Sequence, residues 1–598
     1  MMSKRILIAL ALLLVSAPLL SAGLTASGLD LRRKQFNDLL REQWEYALRS
    51  QPEFASILGD KRYNDRSSDL SEAEIRRDVA VSKSFLRRFE AIDTTGFSDQ
   101  EKISRALMLR SLRESVEDFA DKSWEMPVTQ ISGFHLFVAQ MPGYFSFQTI
   151  KDYDDYAKRM RAVPRQFDDM MANMRKGEHD RLMPPKFLLE KVVEQTGRIT
   201  SQQPETTPFV MPLSKFPQSI PESERARIRS EYLDAVRTAV IPAYKKFEAF
   251  VRDEYAPHGR TEVGMWALPD GVKRYNNRVR RSTTTNLSAE EIHQIGLREV
   301  ARIEGEMLTI AKAQGYQDLQ SFNAAIDKNP DLHPKSREAI LDLYRHFIDA
   351  MYLELPRLFG RLPRAKVVVE AVEPFREKEA SGAQYEPGAQ DGSRPGRVQV
   401  NTGDPQSRKT ISMESTAYHE GVPGHHMQIA IAQELTDLPE FRKNGVNFTA
   451  YVEGWALYSE RLGKEVGFYQ NPFNDYGRLN DEMLRAIRLV VDTGLHAKKW
   501  TRQQVVQFFH DHSATDEVEV QSETDRYIVW PGQALGYKIG QLKITELREK
   551  AKREMGDRFD LRGFHDEVLG AGPLPMDLLT ERIDSWIRRQ KNATRPSS

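Results

Sequence analysis

Residues 414–428 read ESTAYHEGVPGHHMQ. His419 and Glu420 are adjacent, and His425 and His426 follow the pair Pro423–Gly424. Three of the chain's 13 histidines fall in this stretch. Imidazoles beside a carboxylate suit a zinc ion held by histidines with the glutamate as general base, as in the HExxH motif. There the histidines stand at i and i+4, so a regular helix points both at one ion. Here i+4 is Pro423. On a regular helix His425 would lie about 240° round and ~9 Å along from His419, and His426 ~10.5 Å along. Neither could share an ion with it. Pro423 lacks the N–H that would bond the His419 carbonyl, and Gly424 tolerates unusual dihedrals. The sequence therefore calls for a bulged turn over 421–424 that brings His425 beside His419, with His426 as the alternative.

A catalytic zinc needs a third protein ligand and an open position. Glu453, in AYVEGWALYSE, is the candidate, and Glu460, two turns further on the same helical face, is the alternative. Glu414 is placed to orient a ligand imidazole or to favour a helix N-terminus. Arg485, Arg488, Asp492 and His496 recur at helical spacing beside an apolar row of Leu479, Met483, Ile487, Val491 and Leu495. The plain reading is a solvated face; the functional one has Arg488 binding a substrate carboxylate and His496 stabilising an oxyanion. Tyr527 and Tyr537, flanking WPGQALG, compete with packed tyrosines for the same role.

The elements that must position these residues are mostly helical. Apolar residues recur at three and four from Phe36 through Leu48, and 100–122 and 151–175 carry the same pattern. A helix over about 225–252 is kinked or interrupted by Pro242. Ser71–Glu74, Ser288–Glu291 and Thr501–Gln504 are spaced as capping boxes. Val367–Val369 and the alternating Val398 and Val400 are strand candidates, separated by the Gly/Pro-rich loop 380–396. A sheet edge just before a metal-binding helix could hold an extended peptide by strand addition. Gly532, Gly536 and Gly540 place small residues in one row of a late helix over 531–555.

With 86 basic and 86 acidic residues the chain gives no charge-based reason to expect nucleic acid or an anionic membrane. Lys4 and Arg5 precede an apolar run over 6–20 and small residues at 21–23, the order of a secretory leader. The run is shorter than the ~20 apolar residues a spanning helix needs, so no stable membrane anchor is expected after cleavage. With no cysteine there is neither a disulfide nor an acylation site. The expected organisation is a leader over 1–23 and a helical domain over 24–598, with one possible division at the Pro/Ser/Thr-rich stretch 202–224 between an N-terminal part, 24–224, and a catalytic part, 225–598.

The segments YHEGVPGHHMQ, YVEGWALYSERLG, DTGLHAKKW and YIVWPGQALGYKIG, in that order, are similar to a bacterial secreted family known as domain of unknown function 885. Weaker echoes lie in GDKRYNDRSSDLS and the DGSRPG loop. That family resembles the helical zinc peptidases of the thimet oligopeptidase and carboxypeptidase Taq type. The resemblance implies a mainly α fold with a deep channel and one small β-sheet next to the active-site helix. It implies His419, His425 and Glu453 as zinc ligands, Glu420 as base, and a late aromatic segment, holding Tyr527 and Tyr537, for the oxyanion. The longer histidine spacing is the departure from that pattern. The implied activity is zinc-dependent cleavage of short peptides in the periplasm, of carboxypeptidase or dipeptidyl-carboxypeptidase form. A periplasmic binding protein with a degenerate peptidase fold, and a zinc hydrolase of a non-peptide amide or ester, are the competing readings. The sequence does not set the oligomeric state.

Overall fold

In a computed structural model, the described residues are 5–372, 377, 381–388 and 394–592, with side chains from residue 28. Part of the leader and residues 391–393 of the DGSRPG loop lie outside them. The fold is mainly α, with one three-stranded sheet. Among the described residues no helix is long and apolar enough to cross a membrane.

The chain divides into two compact units, Met1–Gly259 with Leu438–Asn444, and Arg260–Asp437 with Gly445–Ser598. The first is built round the helix Ile150–His179, which buries Tyr153, Tyr156, Met160, Phe167, Met170 and Met174. The Phe167 ring meets those of Tyr244 and Phe247 at 5.0 Å. These packing partners lie beyond 224, which is why the division falls at Gly259 rather than at 224. The stretch 202–224 is not a free linker: it buries Phe209, Val210 and Leu213 in a 3-10 turn. The helical stretch after it is interrupted ahead of Pro242, where the α-helix Glu222–Ala235 widens into a π-turn over Val236–Val240 before Ile241–Ala249 resumes. Pro242 has no N–H to continue the ladder, so the wider turn absorbs the break.

In the second unit β1 (Val367–Ala371) runs parallel to β3 (Gly396–Val400), and β2 (Ala383–Glu386) pairs antiparallel on β3's other side. β1 and β3 are the two valine-rich segments. β2, AQYE, lies inside the segment expected to be a loop; flanking Gly382 and Pro387 mask a strand that exists through its pairing with β3.

Two helix pairs position the site. The helix Leu535–Met555 starts later than Pro531 and packs tightly on Thr449–Glu465. A Cβ on Gly540 would fall 1.8 Å from the Ala450 carbonyl oxygen, and one on Gly454 2.6 Å from Gly540. Gly536 and Gly540 thus serve helix–helix approach near Glu453, whereas Gly532 lies before the helix, at φ +79° in the WPG turn against Arg278 and Val279. On the other side, Ile348 of the helix Arg337–Leu358 packs on Gly421, the residue after Glu420.

Candidate metal centre

The helix Met413–Glu420 ends at Glu420, with its last backbone bond from Gly421 N–H to the Ala417 carbonyl at 2.9 Å. A second helix, His425–Gln433, begins directly at His425. The expected bulge in one helix is therefore a full break between two. The His426 N–H donates to the Gly421 carbonyl at 3.2 Å, folding the turn back, and Trp455 Nε1 donates to the Pro423 carbonyl at 2.9 Å. This sets the His419 and His425 rings perpendicular, with centroids 4.8 Å apart. The turn needs glycine at 424, because a Cβ there would fall 1.9 Å from the His419 carbonyl oxygen. Gly424→Ala should reduce stability by about 1–3 kcal/mol, as overpacking does, and should separate the two imidazoles. Thermal denaturation together with a metal titration would measure both effects.

Glu453 completes the cluster. Its Oε2 lies 3.5 Å from His425 Nε2 and 3.7 Å from His419 Nε2. A tetrahedral ion with bonds of about 2.0–2.2 Å keeps its ligand atoms roughly 3.3–3.6 Å apart. Both nitrogen–oxygen distances are within tenths of an ångström of that range. Ligand atoms of His419, Glu420 and His425 lie within 4.8 Å of one another, with Glu420 half-buried.

Behind His419, Nδ1 meets the buried Glu460 Oε1 at 2.7 Å. With Nδ1–H donating to Glu460, Nε2 is the ring nitrogen turned toward Glu453. Glu460 thus meets the ring on the nitrogen opposite the one that faces Glu453. Glu414 does not have that role: it accepts from the Tyr418 hydroxyl, the Tyr469 N–H and Asn474. His426 is not available either. Its Nδ1 lies 3.0 Å from the Tyr385 hydroxyl of β2 and its Nε2 3.1 Å from the Ala365 carbonyl just before β1, so both nitrogens are taken. Burial pushes its pKa down to about 4, and it stays neutral.

The charge balance suits a cation. Burial opposes protonation of His419, but Glu453 and Glu460 outweigh it and lift its pKa to about 10. Burial works against the Glu453 carboxylate, yet the two imidazoles hold it well below its usual range. A metal bound here would compete with a proton for these groups, so its uptake should weaken as pH falls.

Glu420 lines a cavity of about 660 Å³, where the resemblance implies a deep channel, together with Tyr344, Asp481, Arg485, Arg488 and Arg526. Arg488, the expected substrate-binding residue, is on the cavity wall. His496 is not. Its Nδ1 accepts from the Met265 N–H and its Nε2 donates to the Tyr527 carbonyl, each at 3.0 Å, which leaves nothing for an oxyanion. The Tyr527 hydroxyl is likewise committed, donating to Glu523 while Arg488 Nε donates to it at 3.0 Å. It holds the arginine. Tyr537 has the Arg488 guanidinium 4.7 Å over its ring, and burial followed by the Glu453 charge pushes its hydroxyl pKa up. Asp492 takes the Tyr275 hydroxyl at 2.6 Å and the Gly532 N–H, anchoring the WPG turn. Tyr344 and Asp481 carried no signal in the sequence: one sits on an ordinary apolar helix face, the other among surface-like acids. Burial pushes the Asp481 carboxyl up to about 6.

Residues 52–583 match a family described as "Bacterial protein of unknown function (DUF885)". The chain is 31% identical to a protein of known structure described as "the putative lipoprotein from Colwellia psychrerythraea", with a TM-score of 0.87 over 93% of this chain and 100% of that one. It shares its fold with "a putative lipoprotein of unknown function from Shewanella oneidensis", at 17% identity and a TM-score of 0.73 over 92% of this chain and 99% of that one. No curated protein matches.

Proposed function

The chain belongs to this DUF885 family of bacterial proteins, and from its cluster of side chains we propose that it is an exported zinc metallopeptidase acting on short peptides. The observation that carries the proposal is the approach of Glu453 Oε2 to both His419 Nε2 and His425 Nε2 at ion-binding distances, with Glu420 near both histidines and lining a cavity. Export is supported by the leader and by the lipoprotein description of the Colwellia psychrerythraea relative.

The donor set fits zinc: two neutral imidazole nitrogens and one carboxylate leave a position free in a tetrahedron. Bound there, zinc would polarise a scissile carbonyl and make water more acidic. Glu420 takes a proton from the attacking water and passes it to the leaving amine nitrogen as the C–N bond breaks. Glu460 keeps the His419 ring aimed. Ser381, Gly382 and Ala383 bring the start of β2 to the cavity wall, and among the described residues β2 pairs only with β3. Its outer edge can receive an extended peptide by main-chain hydrogen bonds.

The test is mass spectrometry of a peptide mixture incubated with the full chain, before and after chelation and after zinc is restored. The proposal expects cleavage that stops on chelation and returns with zinc; cleavage indifferent to chelation contradicts it. Glu460→Gln should weaken zinc affinity by about 10–100-fold while the fold is kept, as loss of an orienting carboxylate does. Competition with a calibrated chelator measures this.

A further inference from the structure

We infer that the cavity beside Glu420 selects peptides by an acidic side chain, received by the Arg408 guanidinium with Tyr344 beside it; the inference rests on the peptidase reading above. Among the described residues, the cations lining this cavity are Arg408, Lys409, Arg485, Arg488 and Arg526. All but one are matched to carboxylates. Lys409 meets Asp327, Arg485 reaches Asp481, and Arg488 and Arg526 share Glu523. Arg408 is the exception: among the described residues no carboxylate forms an ion pair with it. Its Nε donates to the Gly403 carbonyl at 2.8 Å, and no group of the described residues engages its two Nη groups. The side chain is half-buried on the cavity wall rather than sealed in the core.

Arg408 therefore bears the cost of partial burial with no anion in contact. Burial pushes its pKa below the ordinary arginine value, and Tyr344 and then Asp404 oppose this without an ion pair. A carboxylate brought to it would match the charge and take two parallel N–H donors, the planar fork in which arginine surpasses lysine. Tyr344 adds a neutral hydroxyl to the same place. Burial, opposed by Thr416 and reinforced by the Glu420 charge, pushes its pKa up, so the hydroxyl keeps its proton for donation.

Backbone packing puts this pair on the wall that carries the base. Tyr344 and Ile348 are one turn apart on the helix Arg337–Leu358, and Ile348 packs on Gly421, next to Glu420. Thr416, one turn before Glu420 on the helix Met413–Glu420, lines the cavity with Tyr344. The Tyr344 hydroxyl feels the charges of both Glu420 and Arg408. Arg408 itself lies in the loop that leaves β3. The Asn401 N–H of that loop donates to the Gly382 carbonyl at 2.9 Å, just ahead of β2. A peptide added to the outer edge of β2 would have its main chain engaged by the strand. Its side chains, alternating between the two faces, are then the groups left to meet Arg408.

The experiment uses pentapeptides in pairs, with one glutamate or one glutamine placed at each position in turn and the same termini throughout. Each pair is incubated with the zinc-loaded full chain and the rates are read by mass spectrometry. Because the termini do not change, the comparison within a pair reports the side chain alone. At one position the glutamate peptide should have kcat/KM on the order of 10-fold above its glutamine partner, the scale of one charge-assisted hydrogen bond. Arg408→Met should bring the glutamate peptide down to its partner, and Arg408→Glu should favour lysine at that position. If the methionine variant does not fold, Arg408→Lys, which keeps the charge and loses the fork, should still shrink the difference. Equal cleavage within every pair overturns the subsite and leaves the peptidase reading standing. So does a glutamate preference that survives the loss of Arg408, or a variant that slows both members of a pair alike. Cleavage of no peptide overturns both.

Discussion

Replacing His425 with alanine is expected to reduce bound zinc from about one ion per chain to less than about a tenth, while His426→Ala leaves it in place. The two residues are adjacent and of the same type, so they offer the same chemistry to any argument made from spacing. The structure separates them. His425 Nε2 faces Glu453 at 3.5 Å, whereas both His426 nitrogens are held by Tyr385 and the Ala365 carbonyl. Loss of His425 leaves one imidazole and one carboxylate, too few for a tight catalytic site. Loss of His426 instead removes its hydrogen bonds to the half-buried Tyr385 hydroxyl and to the Ala365 carbonyl, at about 0.5–1.5 kcal/mol each, and shows as a lower Tm with the metal retained. Metal analysis of the dialysed variants, alongside thermal denaturation, reads both outcomes. A His426→Ala protein that lost its zinc would mean the ligand has been misassigned.

The second large effect is at Glu420. Glu420→Gln keeps the side chain's size and removes its ability to take a proton. The rate should fall by about 10²–10⁴-fold, the usual worth of a general base, with zinc content unchanged. The separation of the two readouts is informative. Glu420 lies within 4.8 Å of the ligand nitrogens, close enough to be a ligand in its own right. If it were one, the variant would lose metal as well as rate. If it were neither, peptide cleavage would persist.

Much of the site was legible because its chemistry is concentrated. His419, Glu420 and His425 announce themselves by type within a few positions, and Glu453 by a helix of matching phase. Depth was not legible. Helical periodicity puts Glu453 and Glu460 on one face but cannot say which nitrogen of His419 each will meet; the ring, packed between them, gives Nε2 to one and Nδ1 to the other. His496 looked available because its partners, the Met265 N–H and the Tyr527 carbonyl, are main-chain groups remote in sequence. Main-chain partners leave no mark on residue type. The same holds for β2, whose four residues acquire strand character only from β3, and for the boundary at Gly259, set by packing onto the Ile150–His179 helix. The row of glycines was legible as a close approach, though not as the contact that holds Glu453 in place.

The most direct measurement is anomalous diffraction at the zinc edge from crystals of the full chain grown with zinc. The expected result is a single strong peak about 2.0–2.2 Å from His419 Nε2, His425 Nε2 and Glu453 Oε2, with Glu420 beside it and not bonded to it. No peak there, or a peak coordinated by His426 in place of His425, would contradict the assignment on which the proposed chemistry depends.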